Sequence, residues 1–116
     1  MAVHFETTKP QALLDAFDDR LKATEVWRVI DFWEKCEDGV SYTHASDEWR
    51  SKALLRPVIS ENRLTFNIVK PQDQSGSATV YAHYHGQIVE AFLRQLDLHF
   101  SSIESTPHCV EGDEWA

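Results

Sequence analysis

The chain has 116 residues, of which 42% are hydrophobic and 11% aromatic, and its formal net charge at pH 7 is −8. This length and composition predict one folded domain and exclude a disordered chain. No apolar run approaches the roughly 20 residues that a membrane span needs, and the acidic balance argues against nucleic acid as a partner. The first six residues, MAVHFE, lack the basic and apolar regions of a secretory signal, so we expect a cytoplasmic protein.

The first part of the chain predicts a strand, a helix and a hairpin. Residues 3–7 form the strand, and an apolar stripe then predicts an amphipathic helix that ends near Ala23. Residues 26–35 are rich in β-branched and aromatic side chains and predict a second strand. The chain turns at residues 36–39, which contain an Asp-Gly pair, and returns as a strand at residues 40–45.

A second hairpin is predicted from strands at residues 53–60 and 63–70, joined by the two-residue turn Glu61-Asn62. A turn of this length sets the cross-strand register. The expected pairs are Ile59 with Leu64, Pro57 with Phe66, and Leu55 with Ile68. Pro57 cannot donate to a neighbouring strand, which indicates a sheet edge or a bulge at this position.

The most regular pattern follows a polar loop at residues 71–77. Alternation predicts a strand at residues 78–85, Gly86 marks a pivot, and an amphipathic pattern predicts a helix over residues 87–100. A last strand is expected at residues 101–106.

These elements predict an α+β fold with a mainly antiparallel sheet and two helices packed on one face. The predicted order is β-α-β-β-β-β-β-α-β. Residues 1–106 form the single domain in this interpretation. Residues 107–116 are acidic and without periodicity, and are expected to be a flexible C-terminal tail.

Strand alternation then predicts two chemically different sheet faces. The face under the helices is expected to hold Ile30, Phe32, Ala45, Leu55, Ile59, Leu64, Phe66, Ile68, Val80 and Ala82. The open face is expected to hold the candidate binding residues Trp27, Asp31, Trp33, Tyr42, His44, Tyr81, His83 and His85. Exposed aromatic clusters are typical of partner and ligand surfaces.

The open face leads to our main functional prediction, a non-enzymatic binding or adaptor domain that uses an aromatic- and histidine-rich surface. Its partner would be another protein or a second copy of the chain in a homodimer. A pocket for a small apolar ligand is the alternative use of the same face.

A second hypothesis places a divalent transition metal on His83, His85 and His44, because residues i and i+2 of a strand point the same way. The protein would then be a small metal-dependent or acid–base enzyme, with Asp31 beside the histidines. No other cofactor is indicated, since the sequence has no phosphate loop, HExxH motif or nucleophile elbow.

A third hypothesis is an acidic inhibitor or immunity protein that binds a basic partner. Residues 90–116 contain six acidic residues and only Arg94 as a base. The acidic residues that would contact the partner are Asp97, Glu104, Glu111, Asp113 and Glu114. The sequence also leaves open whether Cys36 and Cys109 are paired.

Overall fold

A computed structural model gives the fold and describes residues 2–24, 30–71 and 77–115. Within these ranges the elements are β1 (Ala2–Glu6), α1 (Pro10–Lys22), β2 (Trp33–Lys35), β3 (Tyr42–His44), β4 (Leu54–Ser60), β5 (Arg63–Val69), α2 (Ala78–Gln95) and β6 (Ser102–Ser105). A short 3-10 helix, Asp97–His99, links α2 to β6. Neither α-helix in the described ranges combines the length and the apolar composition that crossing a membrane requires.

The strands form one antiparallel sheet with the order β2-β3-β4-β5-β1-β6. Both helices lie on the same face of this sheet, because Phe17 of α1 and Phe92 of α2 each contact Phe66 of β5. The two helical rings also contact each other, with centroids 5.0 Å apart. The predicted fold class, α+β with two helices on one face of an antiparallel sheet, is confirmed.

The second hairpin has the predicted register. Leu55 pairs with Ile68, Pro57 with Phe66 and Ile59 with Leu64. On the β3 side, β4 is paired only at Leu55. Pro57 has no partner in β3, so its missing N–H removes no hydrogen bond between these two strands. The two-residue turn fixes this register locally, which is why the sequence predicts it well.

The face assigned to the first hairpin is wrong. Tyr42 pairs with Leu55, and this pairing places Tyr42, His44 and Trp33 on the helix-covered side, where all three are buried. Phe32, predicted to lie under the helices, is instead 49% exposed. Burying the larger aromatic rings removes more apolar surface from water, and this outweighs the polar atoms they carry.

Two further residues predicted for the covered face, Ile59 and Ala82, are also exposed. Ile59 has the predicted cross-strand partner but lies at the turn end of β4, beyond the most deeply buried part of the sheet. Ala82 is displaced for a different reason, since it belongs to a helix and not to a strand.

Residues 78–85, predicted as a strand, form the first half of α2. The Ser77 hydroxyl caps this helix by accepting a hydrogen bond from the Val80 N–H at 3.2 Å. Tyr84, Ile88 and Phe92 recur every four residues and are fully buried, so one helical stripe continues past Gly86. The aromatic and β-branched composition favours a strand locally, but burial of this stripe determines the helix.

The described part of the C-terminal segment lies beside β5. The Glu114 N–H donates to the Ile68 carbonyl at 2.9 Å, and the Lys70 N–H donates to the Glu114 carbonyl at 2.6 Å. Trp115 is only 6% exposed and belongs to the same hydrophobic core as the sheet and helices. Trp115, which the sequence predicts to lie in a flexible tail, therefore contributes to the core of the domain, whereas residues 107–112 are exposed.

Candidate functional site

Three of the predicted site residues meet where β2 and β3 approach the N-terminal half of α2. Trp33 and His44 are cross-strand partners whose ring centroids lie 5.5 Å apart. His83 reaches them from α2, with its ring centroid 5.1 Å from that of His44. The proximity of Trp33 to His44 agrees with the strand alternation. His83, in contrast, belongs to a helix and not to the predicted strand.

Two further aromatic rings complete this group. The Trp49 indole stacks on the His83 imidazole with centroids 3.8 Å apart and ring planes at 11°. Tyr84 packs edge-on against Trp33 at 5.5 Å. We call Trp33, His44, Trp49, His83 and Tyr84 the aromatic–histidine cluster.

Hydrogen bonds hold the turn that carries Trp49 against α2. The Tyr84 hydroxyl donates to the Trp49 carbonyl and lies 3.0 Å from the Thr43 hydroxyl oxygen. That oxygen also accepts from the Ser51 N–H at 2.9 Å, and the Thr43 hydroxyl donates to the Ala53 carbonyl at 3.0 Å. These bonds position the Trp49 ring over His83 and connect the turn to the sheet.

The cluster contains buried polar atoms without hydrogen-bond partners. Trp33 and His44 are each only 3% exposed. Among the described residues, no atom in hydrogen-bonding geometry meets Trp33 Nε1, His44 Nε2 or His83 Nε2. A buried donor or acceptor left unpaired costs about 1–3 kcal/mol, so each of these nitrogens would gain from a hydrogen-bond partner.

The backbone determines which nitrogen of His44 carries the proton. The Ser46 N–H donates to His44 Nδ1 at 3.2 Å, and the Ser46 hydroxyl oxygen lies 2.9 Å from the same atom. Because a backbone N–H only donates, Nδ1 must accept, and the proton of the neutral ring is on Nε2. His44 Nε2 and Trp33 Nε1 are therefore both buried donors.

Both histidines of the cluster are held in the neutral form at pH 7. Burial lowers the pKa of His44, and the neighbouring His83 lowers it further. Gln87, a polar side chain beside His44, opposes this lowering of the pKa. Burial also lowers the pKa of His83, and Glu48 opposes it. Neutral rings suit hydrogen bonding to an uncharged group better than pairing with an anion.

The remaining predicted site residues do not join the cluster. Trp27 lies outside the described residues, and Asp31 is exposed on the surface. Tyr42 is fully buried, and its hydroxyl donates to the Asp18 carboxylate. Tyr81 and His85 lie together elsewhere on α2, where His85 Nδ1 contacts the Tyr81 carbonyl at 2.7 Å. The Tyr81 ring also packs against Trp115.

The predicted metal-binding trio is not assembled. His83 and His85 are two residues apart on a helix, where positions i and i+2 do not face each other. Across residues 2–24, 30–71 and 77–115, no group of three histidine, cysteine or acidic side chains is arranged to hold a metal ion. A metal at His44 Nε2 would also need the proton on Nδ1, where the Ser46 N–H already donates.

Some of the charged side chains near the cluster and in the C-terminal segment are paired. Arg50 contacts Glu34 at 2.8 Å and Asp47 at 3.0 Å. Of the acidic residues proposed to contact a basic partner, Glu114 pairs with Arg56, and the Asp113 carboxylate accepts from Asn67 Nδ2 at 2.8 Å. Glu104, Glu111 and Asp97 are exposed.

Cys36 is a half-buried thiol in the structure, so the bridge to Cys109 that the sequence leaves open is not formed. Burial, reinforced by Asp38 and Glu34, raises the pKa of this thiol to about 11. The thiolate is the nucleophilic form, so Cys36 is unreactive at neutral pH.

Sequence reasoning missed two members of the cluster. Tyr84 follows His83 directly and belongs to the four-residue repeat of α2, so a helical interpretation would have placed it in the core beside the sheet. Trp49 lies in a turn whose position depends on the Thr43 and Tyr84 hydrogen bonds. No local pattern signals that long-range contact.

Comparisons with known proteins identify no family for this chain. No protein-family model matches it, and no curated protein or solved structure is significantly similar to it. The geometry and chemistry of the aromatic–histidine cluster are therefore the basis for assigning a function.

Proposed function

We propose that this protein is a non-enzymatic binding protein and that the aromatic–histidine cluster holds a small ligand. The observation that carries the proposal is the pair of buried N–H donors, Trp33 Nε1 and His44 Nε2, with no acceptor among the described residues. A ligand that accepts from both would remove a destabilising feature of the fold. Unpaired buried polar groups in an otherwise consistent fold are expected at functional sites.

The depth of the two donors favours a small molecule over a protein partner. Trp33 and His44 are each 3% exposed, whereas partner surfaces present their hydrogen-bonding groups to solvent before binding. Small-molecule sites are mostly apolar and aromatic, with a few polar groups that orient the ligand. The cluster has this composition, with three aromatic rings and two neutral imidazoles.

The surroundings of the histidines favour binding over acid–base catalysis. A general base is usually oriented by a partner that supports its change of charge. Among the described residues, no carboxylate hydrogen-bonds to His44 or His83, and Asp31 is exposed. His44 Nδ1 accepts from a backbone N–H, and this bond disfavours the doubly protonated ring that a general base forms.

The test is a fragment screen read out by NMR on the ¹⁵N-labelled full chain. The indole N–H of Trp33 and the ring signals of His44 and His83 report on the cluster directly. We expect at least one class of small aromatic fragments to shift the three sets of signals together and to raise the thermal midpoint. These effects should disappear in Trp33→Phe, which lacks the indole donor.

The matched control is Trp115→Phe, which removes an indole N–H from another part of the core. It should keep the fragment response of the native chain. Fragments that bind only away from the cluster, or that stabilise Trp33→Phe as much as the native chain, would contradict the proposed function.

A further inference from the structure

The hydrogen-bonding direction of the cluster narrows the class of ligand. Trp33 Nε1 can only donate, and His44 Nε2 carries the proton because Ser46 donates to Nδ1. The two residues are cross-strand partners with ring centroids 5.5 Å apart, close enough for one ligand to lie against both rings. The group that enters must therefore accept hydrogen bonds.

The ring geometry indicates a flat ligand. His83 already has one planar partner, the Trp49 indole, stacked at 3.8 Å and 11°. Trp33 and Tyr84 are perpendicular to each other and provide an edge and a face beside this stack. Aromatic rings prefer such offset-stacked and edge-to-face contacts, which favour an aromatic over an aliphatic ligand.

Charge around the cluster disfavours an anion. Asp47 and Glu48 lie exposed on the turn that carries Trp49, and Asp31 is exposed next to Phe32. Of the two bases that follow Trp49, Arg50 is already paired with Glu34 and Asp47, and Lys52 is exposed. Burial keeps both imidazoles neutral, so a carboxylate would enter the cluster without a counter-charge.

Resting on the proposed function, we infer that the ligand is a neutral, planar aromatic molecule with a carbonyl oxygen or ring nitrogen that accepts hydrogen bonds from Trp33 and His44. The aromatic part stacks against His83 and Trp49. The acceptor faces the β2–β3 pair. Entry requires the Trp49 turn to move away from His83, because the nitrogens are covered in the present arrangement.

The experiment compares three bicyclic probes of similar size. The first, 1-methylquinolin-2-one, is neutral and carries only an acceptor; 1-methylnaphthalene lacks the acceptor; 1-naphthoate carries a negative charge. We expect the quinolinone to bind the native chain about tenfold more tightly than the other two, which corresponds to one or two net hydrogen bonds. It should also move the Trp33 indole proton downfield, and the naphthalene should not.

Variants assign the effect to the two donors. Trp33→Phe should lose about threefold in quinolinone affinity, because one of the two donors remains, and no affinity for the naphthalene. Trp115→Phe should lose neither. His44→Gln keeps a side-chain N–H donor and should retain more affinity than His44→Leu. Circular dichroism of each variant establishes that it is folded before affinities are compared.

The outcomes separate this inference from the proposed function. Tighter binding of the naphthoate or the naphthalene, with shifts at Trp33 and His44, would overturn the ligand class and support a binding site at the cluster. If none of the three probes moves the cluster signals, the ligand class is wrong, and the broader fragment screen decides the proposed function independently.

Discussion

Because the His44 ring is buried, its pKa differs between the folded and the unfolded chain. Its pKa is lowered below the ordinary value of 6.5, chiefly by burial, and the same holds for His83. The unfolded chain therefore binds protons first as the pH falls. The free energy of unfolding is therefore unaffected by these two histidines above pH 6.5. It decreases as the pH falls below 6.5, because the unfolded chain gains protons that the folded chain does not.

We predict that the free energy of unfolding decreases between pH 7.5 and pH 5.5, and that the double variant His44→Gln/His83→Gln shows a smaller decrease. Urea denaturation at several pH values measures both. The carboxylates of Asp38 and Asp113 have lowered pKa values and titrate below this window, so they do not confuse the comparison. Burial also lowers the pKa of His4, which leaves a residual slope in the variant.

The control for this prediction is His99→Gln, which removes an exposed imidazole from the surface. It should retain the pH dependence of the native chain. An equal loss of pH dependence in this variant, or an unchanged slope in the double variant, would show that the cluster histidines are not the source.

Phe92 and Leu93 are neighbours with opposite environments. Phe92 is fully buried, stacks on Phe5 at 4.2 Å and contacts Phe17 at 5.0 Å, whereas Leu93 is 51% exposed. We predict that Phe92→Ala costs about 3–5 kcal/mol of unfolding free energy and that Leu93→Ala costs under about 1 kcal/mol. Chemical denaturation measures both, and similar costs would mean that the covered face of α2 is misassigned.

At the scale of elements, α2 is one helix through Gly86. A methyl group added at Gly86 meets no atom within 4 Å beyond its chain neighbours and the adjacent backbone of the helix. Because alanine has the higher helix propensity and restricts the unfolded chain, we predict that Gly86→Ala stabilises the protein by about 0.4–1 kcal/mol. Thermal and urea denaturation measure the gain. A destabilising effect would support the strand–pivot–helix interpretation instead.

Gly112→Ala is the matched control for glycine replacement. Gly112 has a φ of +97°, and an added Cβ would lie 2.7 Å from the Asn67 amide oxygen. This substitution should destabilise the fold, since the backbone conformation and the contact both oppose it. Replacing glycine by alanine should therefore raise the free energy of unfolding at Gly86 and lower it at Gly112.

Element prediction from sequence succeeds where local chemistry determines the geometry. The Glu61-Asn62 turn fixes the register of β4 and β5, and all three predicted pairs are present. The face of the first hairpin depends instead on the Tyr42–Leu55 pairing between separate hairpins, which no short-range pattern specifies. Alternation predicts a strand at residues 78–85, whereas the four-residue apolar repeat of α2 extends across Gly86.

The candidate site is predicted in the same partial way. Strand alternation places Trp33 with His44, and the structure brings them together. Grouping His83 with His85 required a strand, so the helix separates the pair and leaves His83 alone in the cluster. Its stacking on Trp49 depends on tertiary contacts of the turn, which the sequence does not encode in a recognisable pattern.

At the scale of the whole molecule, the C-terminal segment closes the hydrophobic core. Trp115 is 6% exposed, and Glu114 is hydrogen-bonded beside β5 through Ile68 and Lys70. We predict that Trp115→Ala lowers the free energy of unfolding by about 3–5 kcal/mol, a large part of the 5–15 kcal/mol typical of a domain. Glu111→Ala, at an exposed position of the same segment, should change it by less than about 0.5 kcal/mol.

Because Trp115 shares one core with both helices and the sheet, unfolding of the native chain should be a single transition. Denaturation followed by far-ultraviolet circular dichroism and by tryptophan fluorescence should give coincident curves, in the native chain and in Trp115→Ala. Two separated transitions would show that the segment folds independently of the domain. Deleting residues 107–116 therefore tests stability as well as partner binding, and a loss of binding after that deletion would not by itself identify an acidic contact surface.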